Sequence, residues 1–367
     1  MTEDIGLGLI GAGGIARGMY VPMVQRLAGQ GVRLVAVADV VPAQADSLAA
    51  ATGATAYHDH RSLLDHPGVK AVIVATTIST HSPIALDALQ AGKHVLLQKP
   101  MATTLVEADA LIAAADERGL VLQCEPPHRM HPHAEQARQD LAAGMIGKLC
   151  LILARSAHNG PPNRPWFYFQ EHGGSVIFDM GVHALTWLLG VAGPAKRVSA
   201  VYTRSIPERL INNVLLQPDI IDNALISLEL ENGALANVVT NYCTVASLSP
   251  SYELYGSEGT ILVNAPQAGY MRFAAGGRLE HPDMAEQEMG WFIPARNTGH
   301  QALPWPPTSD TARLDVNRTT LGHFVECIRT GASPIPSATF ARHTLEVMVK
   351  AALAASSGQA QRLTTTF

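Results

Sequence analysis

A chain of 367 residues with 47% hydrophobic and 16% charged residues is too long for one compact core and too apolar for disorder; it fits about two globular domains. A net charge of −5, from 26 basic and 31 acidic side chains, gives no electrostatic reason to bind nucleic acid or an anionic membrane. Cys124, Cys150, Cys243 and Cys327 stand far apart without a Cys-x-x-Cys pair, which argues for a reducing, cytoplasmic setting and against structural zinc. The start Met1-Thr2-Glu3-Asp4 is acidic where a secretory signal is basic. No run of some 18 apolar residues suggests a membrane span.

Ile5 to Ile10 reads as a short apolar strand running into Gly11-Ala12-Gly13-Gly14-Ile15-Ala16, with a helical pattern through Leu27. Strand, glycine turn and helix together are the context of a dinucleotide fingerprint. Gly11 permits the tight turn, Gly13 lets backbone approach a pyrophosphate, and Ala16 lets the helix pack closely on the sheet. Unpaired N–H groups of Gly14 and Ile15 at the helix start suit phosphate. Leu34 to Ala38 is a second strand ended by Asp39, 28 residues after Gly11 (39 − 11). A carboxylate there accepts from ribose hydroxyls and repels a 2′-phosphate, so NAD is expected over NADP; a turn or capping aspartate is the alternative. Val40-Val41-Pro42 adds no cation for that phosphate.

The alternation continues. Ala71 to Ala75 is a strand, followed by Thr76-Thr77, a helix over Pro83 to Ala91, a helix over Leu105 to Arg118 and a strand over Leu120 to Cys124. Between the helices lies Ala91-Gly92-Lys93-His94-Val95-Leu96-Leu97-Gln98-Lys99-Pro100. Val95 to Leu97 suit a strand buried on both faces, and Pro100 stops it near Lys99. Ligands bind at the carboxyl ends of such strands, so Lys99 faces either a ligand or, as a plain loop lysine, solvent. This is a doubly wound α/β domain over residues 1–125 with a parallel sheet.

After Glu125-Pro126-Pro127 the pattern changes to a second, α+β domain over 126–367. A helix covers His133 to Ala143 and a strand Leu149 to Ser156. Strands then follow one another over Arg197–Arg204, Asp222–Leu230, Gly233–Tyr242, Tyr252–Tyr255 and Gly259–Val263, with Glu231-Asn232-Gly233 as a hairpin turn. This predicts an open, mostly antiparallel sheet. An aperiodic loop spans about Gly276 to Arg313, and helices near Asn317–Thr330 and Phe340–Ser356 close the chain.

Gly173-Gly174-Ser175 leads into a helix carrying Asp179 and His183 four residues apart. They share a helix face, where they serve proton transfer or form an i,i+4 ion pair. The cluster His128-Arg129-Met130-His131-Pro132-His133 is a poor metal site, because Pro132 breaks helical ligand spacing and no carboxylate or thiol stands at ligand spacing; no metal is expected. It falls near the hinge, with Arg129 a substrate candidate. His58, His60 and His66 fall in a polar connection and are expected to be solvated. His158, Arg164 and Trp166, with Phe167 and Tyr168, lie in a Pro/Asn/aromatic loop and are candidates for ligand contact.

These motifs resemble the Gfo/Idh/MocA oxidoreductases, the family of glucose–fructose oxidoreductase and inositol dehydrogenase. Gly11 to Ala16 resembles its cofactor turn, Gly92 to Pro100 its "GKHV…EKP" strand, Gly173 to His183 its "GGG…D.G.H" helix and Tyr255 to Thr260 a hairpin of its second sheet. The resemblance spans nearly the whole chain. It implies a Rossmann domain, NAD(P)-dependent oxidation of sugars or polyols, a second sheet that mediates homodimers or tetramers, and Lys99, Asp179 and His183 as the catalytic set. Gln98 stands where the family has glutamate, and Thr77-Ile78 where it has Pro-Asn, with His81 kept; Thr76, Thr77, His81 and Gln98 become cofactor contacts on this basis. The sequence reading is thus an NAD-dependent dehydrogenase of a small carbohydrate or polyol. A redox-neutral, NAD-dependent glycosidase and a non-enzymatic dinucleotide-binding regulator remain the alternatives.

Overall fold

The structure, a computed structural model, describes residues 4–126, 128–265, 268–274 and 316–367. The first sheet contains β1 (Ile5–Ile10), β2 (Val32–Ala38), β3 (Thr55–Tyr57), β4 (Ala71–Val74), β5 (His94–Leu97) and β6 (Leu122–Cys124). All pairings are parallel, in the order β3-β2-β1-β4-β5-β6. All six residues of β1 and all four of β4 are buried, because helices cover both faces and leave no polar side to the strand. The helices are α1 (Val21–Leu27), α2 (Pro42–Thr52), α3 (His60–Leu64), α4 (His81–Gln90) and α5 (Leu105–Arg118). α5 starts where the sequence predicts, since Thr104 and Glu107 cap each other reciprocally, and it ends on Gly119 at φ 62°. Strand order reverses between β1 and β4, which opens a crevice at their carboxyl ends.

The second unit comprises α6 (Pro132–Ala142), β7 (Leu149–Ala157), α7 (Val182–Ala192), β8 (Ala195–Thr203), β9 (Arg209–Ile211), β10 (Val214–Leu216), β11 (Asn223–Leu230), β12 (Leu235–Asn241), β13 (Tyr252–Gly256), β14 (Gly259–Ala265), β15 (Ala268–Ala274), α8 (Val316–Thr330), α9 (Ala338–Ser357) and β16 (Gln361–Arg362). Its large sheet runs β15-β14-β13-β7-β12-β11-β8-β16. It is mixed, because β7 pairs with β12 in parallel while the other pairs are antiparallel. Alternate residues of β11 are buried beneath α7 and α9. The opposite face exposes Val201, its cross-strand partner Leu225, and Leu235. The expected loop over Gly276–Arg313 lies outside the described residues.

Residues Gln170–Ala192 are long and apolar enough to cross a membrane by composition, but 72% of the most apolar stretch is buried inside the protein. α7 is a core helix: Trp187 is 2% exposed and stacks on Tyr252 at 3.9 Å between ring centroids. α8 reaches back to the first sheet, where Leu321, Phe324 and Val325 pack with Ile5, Leu7 and Met23. α9 is tied to α5 by a bidentate Arg342–Asp109 pair at 2.5 and 2.9 Å.

The glycine turn shows why two neighbouring glycines are not equivalent. Gly11 has φ +95°, and a Cβ on it would stand 2.5 Å from the Ala75 carbonyl oxygen. A Cβ on Gly13 would meet nothing within 4 Å. Gly11→Ala is therefore expected to lower unfolding free energy by about 2 kcal/mol or more, from strain and overpacking. Gly13→Ala is expected to change it by less than about 1 kcal/mol. Urea denaturation of both variants checks the contrast, and equal stabilities would refute it.

Candidate active site

Between the sheets lies a crevice of about 710 Å³. The first domain lines it with Gly11, Gly13, Gly14, Ile15, Asp39, Thr76, Thr77, His81, Gln98 and Lys99, and the second with Asn163, Arg164, Trp166, Phe167 and Asp179. The glycine turn, the strand ends and one face of the second domain thus meet in one cavity. Ala16 is fully buried beneath the turn.

Two of the segments at the crevice are wide π-turns leading into helices, one directly after Ile15 and the other containing Asp179. Ala16–Tyr20 precedes α1, and Ile177–Gly181 precedes α7; Val182 N–H donates to the Ile177 carbonyl five residues back. Ser175 Oγ accepts from Ile177 N–H at 3.2 Å. The wide turn leaves the Asp179 carbonyl open to an outside donor. Lys99 Nζ donates to that carbonyl at 2.7 Å and to Asp179 Oδ1 at 2.6 Å. Tyr242 Oη donates to Asp179 Oδ2 at 2.7 Å. Burial works to raise the Asp179 pKa, but the Lys99 ammonium and these hydrogen bonds outweigh it and hold the carboxyl below its ordinary value. Lys99 therefore faces a partner in the crevice, not solvent.

Asp179 and His183 do not form the i,i+4 ion pair that their spacing allows. Asp179 is engaged by Lys99 and Tyr242, while His183 Nδ1 lies 2.7 Å from His128 Nε2. Burial first, then the Lys99 ammonium and neighbouring imidazoles, push the His183 pKa well below the usual value. His128 is lowered to about 4, by burial, His131 and Lys99.

Asp39 Oδ2 accepts from Ala12 N–H at 2.7 Å and Oδ1 from Val41 N–H at 2.8 Å. Its carboxylate locks the glycine turn to the end of β2 as well as facing the crevice. Arg17, on the π-turn, donates to Ala12 O and Gln44 O, each at 3.0 Å. His81 is 1% exposed, with Nδ1 at 2.8 Å from Pro100 O and Nε2 at 3.2 Å from Thr76 O. Burial lowers its pKa to about 4; the ring clasps the ends of β4 and β5 at the crevice wall. Gln98 Nε2 donates to Tyr20 Oη at 2.6 Å. Beside Tyr20, burial raises Glu125 to about 8, so Gln98 sits in a neutral layer under Lys99.

The substrate-side expectations divide. His158 stacks on Tyr242 at 5.2 Å, close enough to Asp179 and Lys99 for both to act on its pKa. Trp166 lines the crevice and stacks on Phe167 at 3.7 Å. Arg164 lies over the cofactor turn, its Nη2 3.7 Å from where a Gly14 Cβ would stand. Arg129 is outside the crevice: its guanidinium lies 5.7 Å over the Phe340 ring and its Cβ packs on Gly190, because Phe340 offers it an aromatic face. Tyr168 is core, with its hydroxyl donating to Pro161 O at 3.2 Å, so it cannot be a ligand contact. His60, expected in solvent, bonds Asp87 at 2.8 Å and borders the crevice. Tyr242, Tyr20 and Glu125 were missed, because their sequence settings are ordinary strand ends and helix faces. Among the described residues no cluster suited to a metal is present.

The fit to a dinucleotide is physical. A glycine turn with an open side at Gly13, a helix start and a strand-end carboxylate face one crevice at the switch point of the sheet. Fold and crevice together define an NAD-binding oxidoreductase. The chain belongs to the GFO/IDH/MocA family: residues 5–125 match the model of the oxidoreductase family's NAD-binding Rossmann fold, and residues 134–262 that of the GFO/IDH/MocA C-terminal domain. It is 26% identical to the scyllo-inositol 2-dehydrogenase (NAD(+)) of Bacillus subtilis (strain 168) over 326 residues, 88% of this chain and 86% of that one. It is 27% identical to the inositol 2-dehydrogenase of Rubrobacter xylanophilus (strain DSM 9941 / JCM 11954 / NBRC 16129 / PRD-1), covering 80% of this chain and 81% of that one. A levoglucosan dehydrogenase solved with NADH has the same fold, with a TM-score of 0.83, 21% identity and coverage of 99% and 100%.

The site's histidines set the acid stability. His81, His128 and His131 are each lowered to about 4 and His183 well below its usual value, all chiefly by burial. A lowered histidine binds its proton only in the unfolded chain, so stability falls as pH drops below about 6.5. Glu125, raised to about 8, opposes them over the same interval, but as one group against four. Urea unfolding at neutral pH and at about pH 5.5 is expected to show a fall of several kcal/mol, at up to about 1.4 kcal/mol per pH unit for each uncompensated proton. Equal stabilities would contradict it.

Proposed function

We propose that this protein is an NAD-dependent dehydrogenase that oxidises a secondary hydroxyl of a sugar, sugar derivative or cyclitol. The observation that carries the reading is the Lys99–Asp179 pair lining a crevice that fits a dinucleotide, with the Lys99 ammonium near enough to His183 to act on its pKa. The two inositol dehydrogenases among its relatives support the substrate class.

NAD in the crevice would supply the hydride acceptor. Gly13, Gly14 and the start of the α1 segment would hold its pyrophosphate, with Arg164 beside them from the second domain. Asp39 would accept from its ribose hydroxyls, and Thr76, Thr77, His81 and Gln98 would contact the rest of the cofactor. His183, kept neutral, takes the hydroxyl proton at Nε2. Lys99 hydrogen-bonds the same oxygen and stabilises its developing charge. Asp179, held by Tyr242, orients the ammonium and a neighbouring hydroxyl. Trp166 offers an apolar face and His158 a polar edge. A redox-neutral glycosidase uses the same groups, and sugar release without accumulation of reduced cofactor would distinguish it. The exposed Val201, Leu225 and Leu235 support self-association through the large sheet.

Incubation with NAD and a panel of sugars, glycosides and inositols, following reduced cofactor and products together, tests the reading. Lys99→Ala is expected to lower kcat about 10²–10³-fold, with NADH affinity changed by no more than a few-fold. Near-normal kcat on the true substrate would remove Lys99 from the chemistry. NAD is expected to bind about 10-fold or more tightly than NADP, through Asp39. Gly13→Ala is expected to weaken NADH binding in a normally folded protein, which fluorescence titration reads directly.

A further inference from the structure

The partner of His183 is not the group that usually orients a basic imidazole. A carboxylate or backbone carbonyl can only accept from the far ring nitrogen, and so fixes one tautomer. His183 instead turns Nδ1 to His128 Nε2 at 2.7 Å, with ring centroids 4.9 Å apart. One proton is shared between two nitrogens, each of which can donate or accept.

His128 is held where it can do this. It sits on the short helical turn His128–Met130 after β6. Its carbonyl accepts from His131 N–H at 3.2 Å. Arg138 fastens the same turn by donating to Arg129 O at 2.8 Å. The groups that act electrostatically on the pair are Lys99, His131 and His158. The nearby Asp179 carboxylate is engaged by Lys99 and Tyr242. No anion therefore traps a proton on His183, and the imidazole next to it is its outlet.

We propose that His128 is a positioning and relay residue through which His183 passes the substrate's proton. The inference rests on the dehydrogenase reading above. With the shared proton on His183 Nδ1, its Nε2 is a lone pair, ready to accept. In oxidation the substrate O–H bond breaks and an Nε2–H bond forms on His183. The His183 Nδ1–H bond breaks, and an Nε2–H bond forms on His128. The C–H hydride, with its electron pair, would go to the bound NAD of the dehydrogenase reading, and His183 stays neutral. His128 then carries the positive charge until its Nδ1 proton departs toward solvent. Run backwards, the same pair puts N–H on His183 Nε2 and makes it the acid for carbonyl reduction.

The test uses the full chain with ¹⁵N-labelled histidine and needs no substrate for its first arm. In the wild type the His183 ring nitrogens are expected to show averaged shifts, from exchange between the two tautomers. In His128→Gln, whose amide cannot pass a proton on, they are expected to show a single fixed tautomer, with His183→Gln assigning the signals. The second arm measures turnover on the substrate panel. His128→Gln is expected to lower kcat about 10- to 100-fold and to raise the solvent deuterium isotope effect, with NADH affinity and KM within about twofold. His128→Ala is expected to regain part of its kcat with added imidazole. A single His183 tautomer already present in the wild type would overturn the relay. So would unchanged kcat in His128→Gln, or an equal loss of NADH binding and turnover without imidazole rescue. If the wild type oxidises no member of the panel, the dehydrogenase reading fails, while the tautomer measurement still decides whether His128 sets the proton position.

Discussion

The ion pair between Lys99 and Asp179 is the contact on which the rest of the site depends. It joins the end of a strand in one sheet to a π-turn packed on the other, with side-chain exposures of 13% and 11%. A desolvated pair often gains little net stability, and a lone member of one costs a great deal. Here the cost is offset by further bonds: the Asp179 carbonyl accepts from the same ammonium, and Tyr242 donates to the second carboxylate oxygen. The pair also sets the charge of its surroundings. The Lys99 ammonium adds to burial in keeping His81, His128 and His183 neutral, which a proton-accepting imidazole requires.

The two sheets contribute differently around this contact. The parallel sheet brings the glycine turn and the strand-end side chains Asp39, Thr76, His81 and Lys99 to the crevice. The mixed sheet brings Tyr242, His158 and the loop with Arg164 and Trp166, a surface of rings and donors. Their mutual position is braced far from the crevice. α8 buries Leu321 and Phe324 in the first core, Gln123 Nε2 donates to Thr320 O at 3.2 Å, and Arg342 bridges α9 to Asp109.

The legible parts of this molecule are those whose signals are local. The doubly wound sheet shows in unbroken apolar runs and glycine punctuation, and α5 in its own capping residues. The rule that ligands sit at strand ends points to Asp39 and Lys99, the glycine motif to Gly11, and only the family resemblance to Thr76; all four line the crevice. The misses are pairings across long sequence distance. Nothing around Tyr242, just after β12, marks it as the partner of Asp179, 63 residues earlier. The turn of Arg129 toward Phe340 depends on a helix more than 200 residues later. The parallel β7–β12 pairing was illegible for the same reason. The β9–β10 hairpin did carry a local signal, Asn212-Asn213, both at positive φ, in a stretch too short for hydrophobic alternation to register.

The π-turn ahead of α7 has a consequence for how the chain tolerates changes in length. It spends one residue more than an α-turn in the same axial distance, so it works as an insertion stored inside a helix. Deleting a single residue there would restore α geometry with the flanking turns still in register, so the change would fall on the residues inside the turn. The Asp179 carboxylate would swing off the Lys99 side while α7, anchored by Trp187 in the core, kept its place. The same holds for Ala16–Tyr20, whose extra residue sets the phase of Tyr20 against Gln98. Loops elsewhere can gain or lose residues by adjusting their path; at these two turns the residue count is itself part of the site.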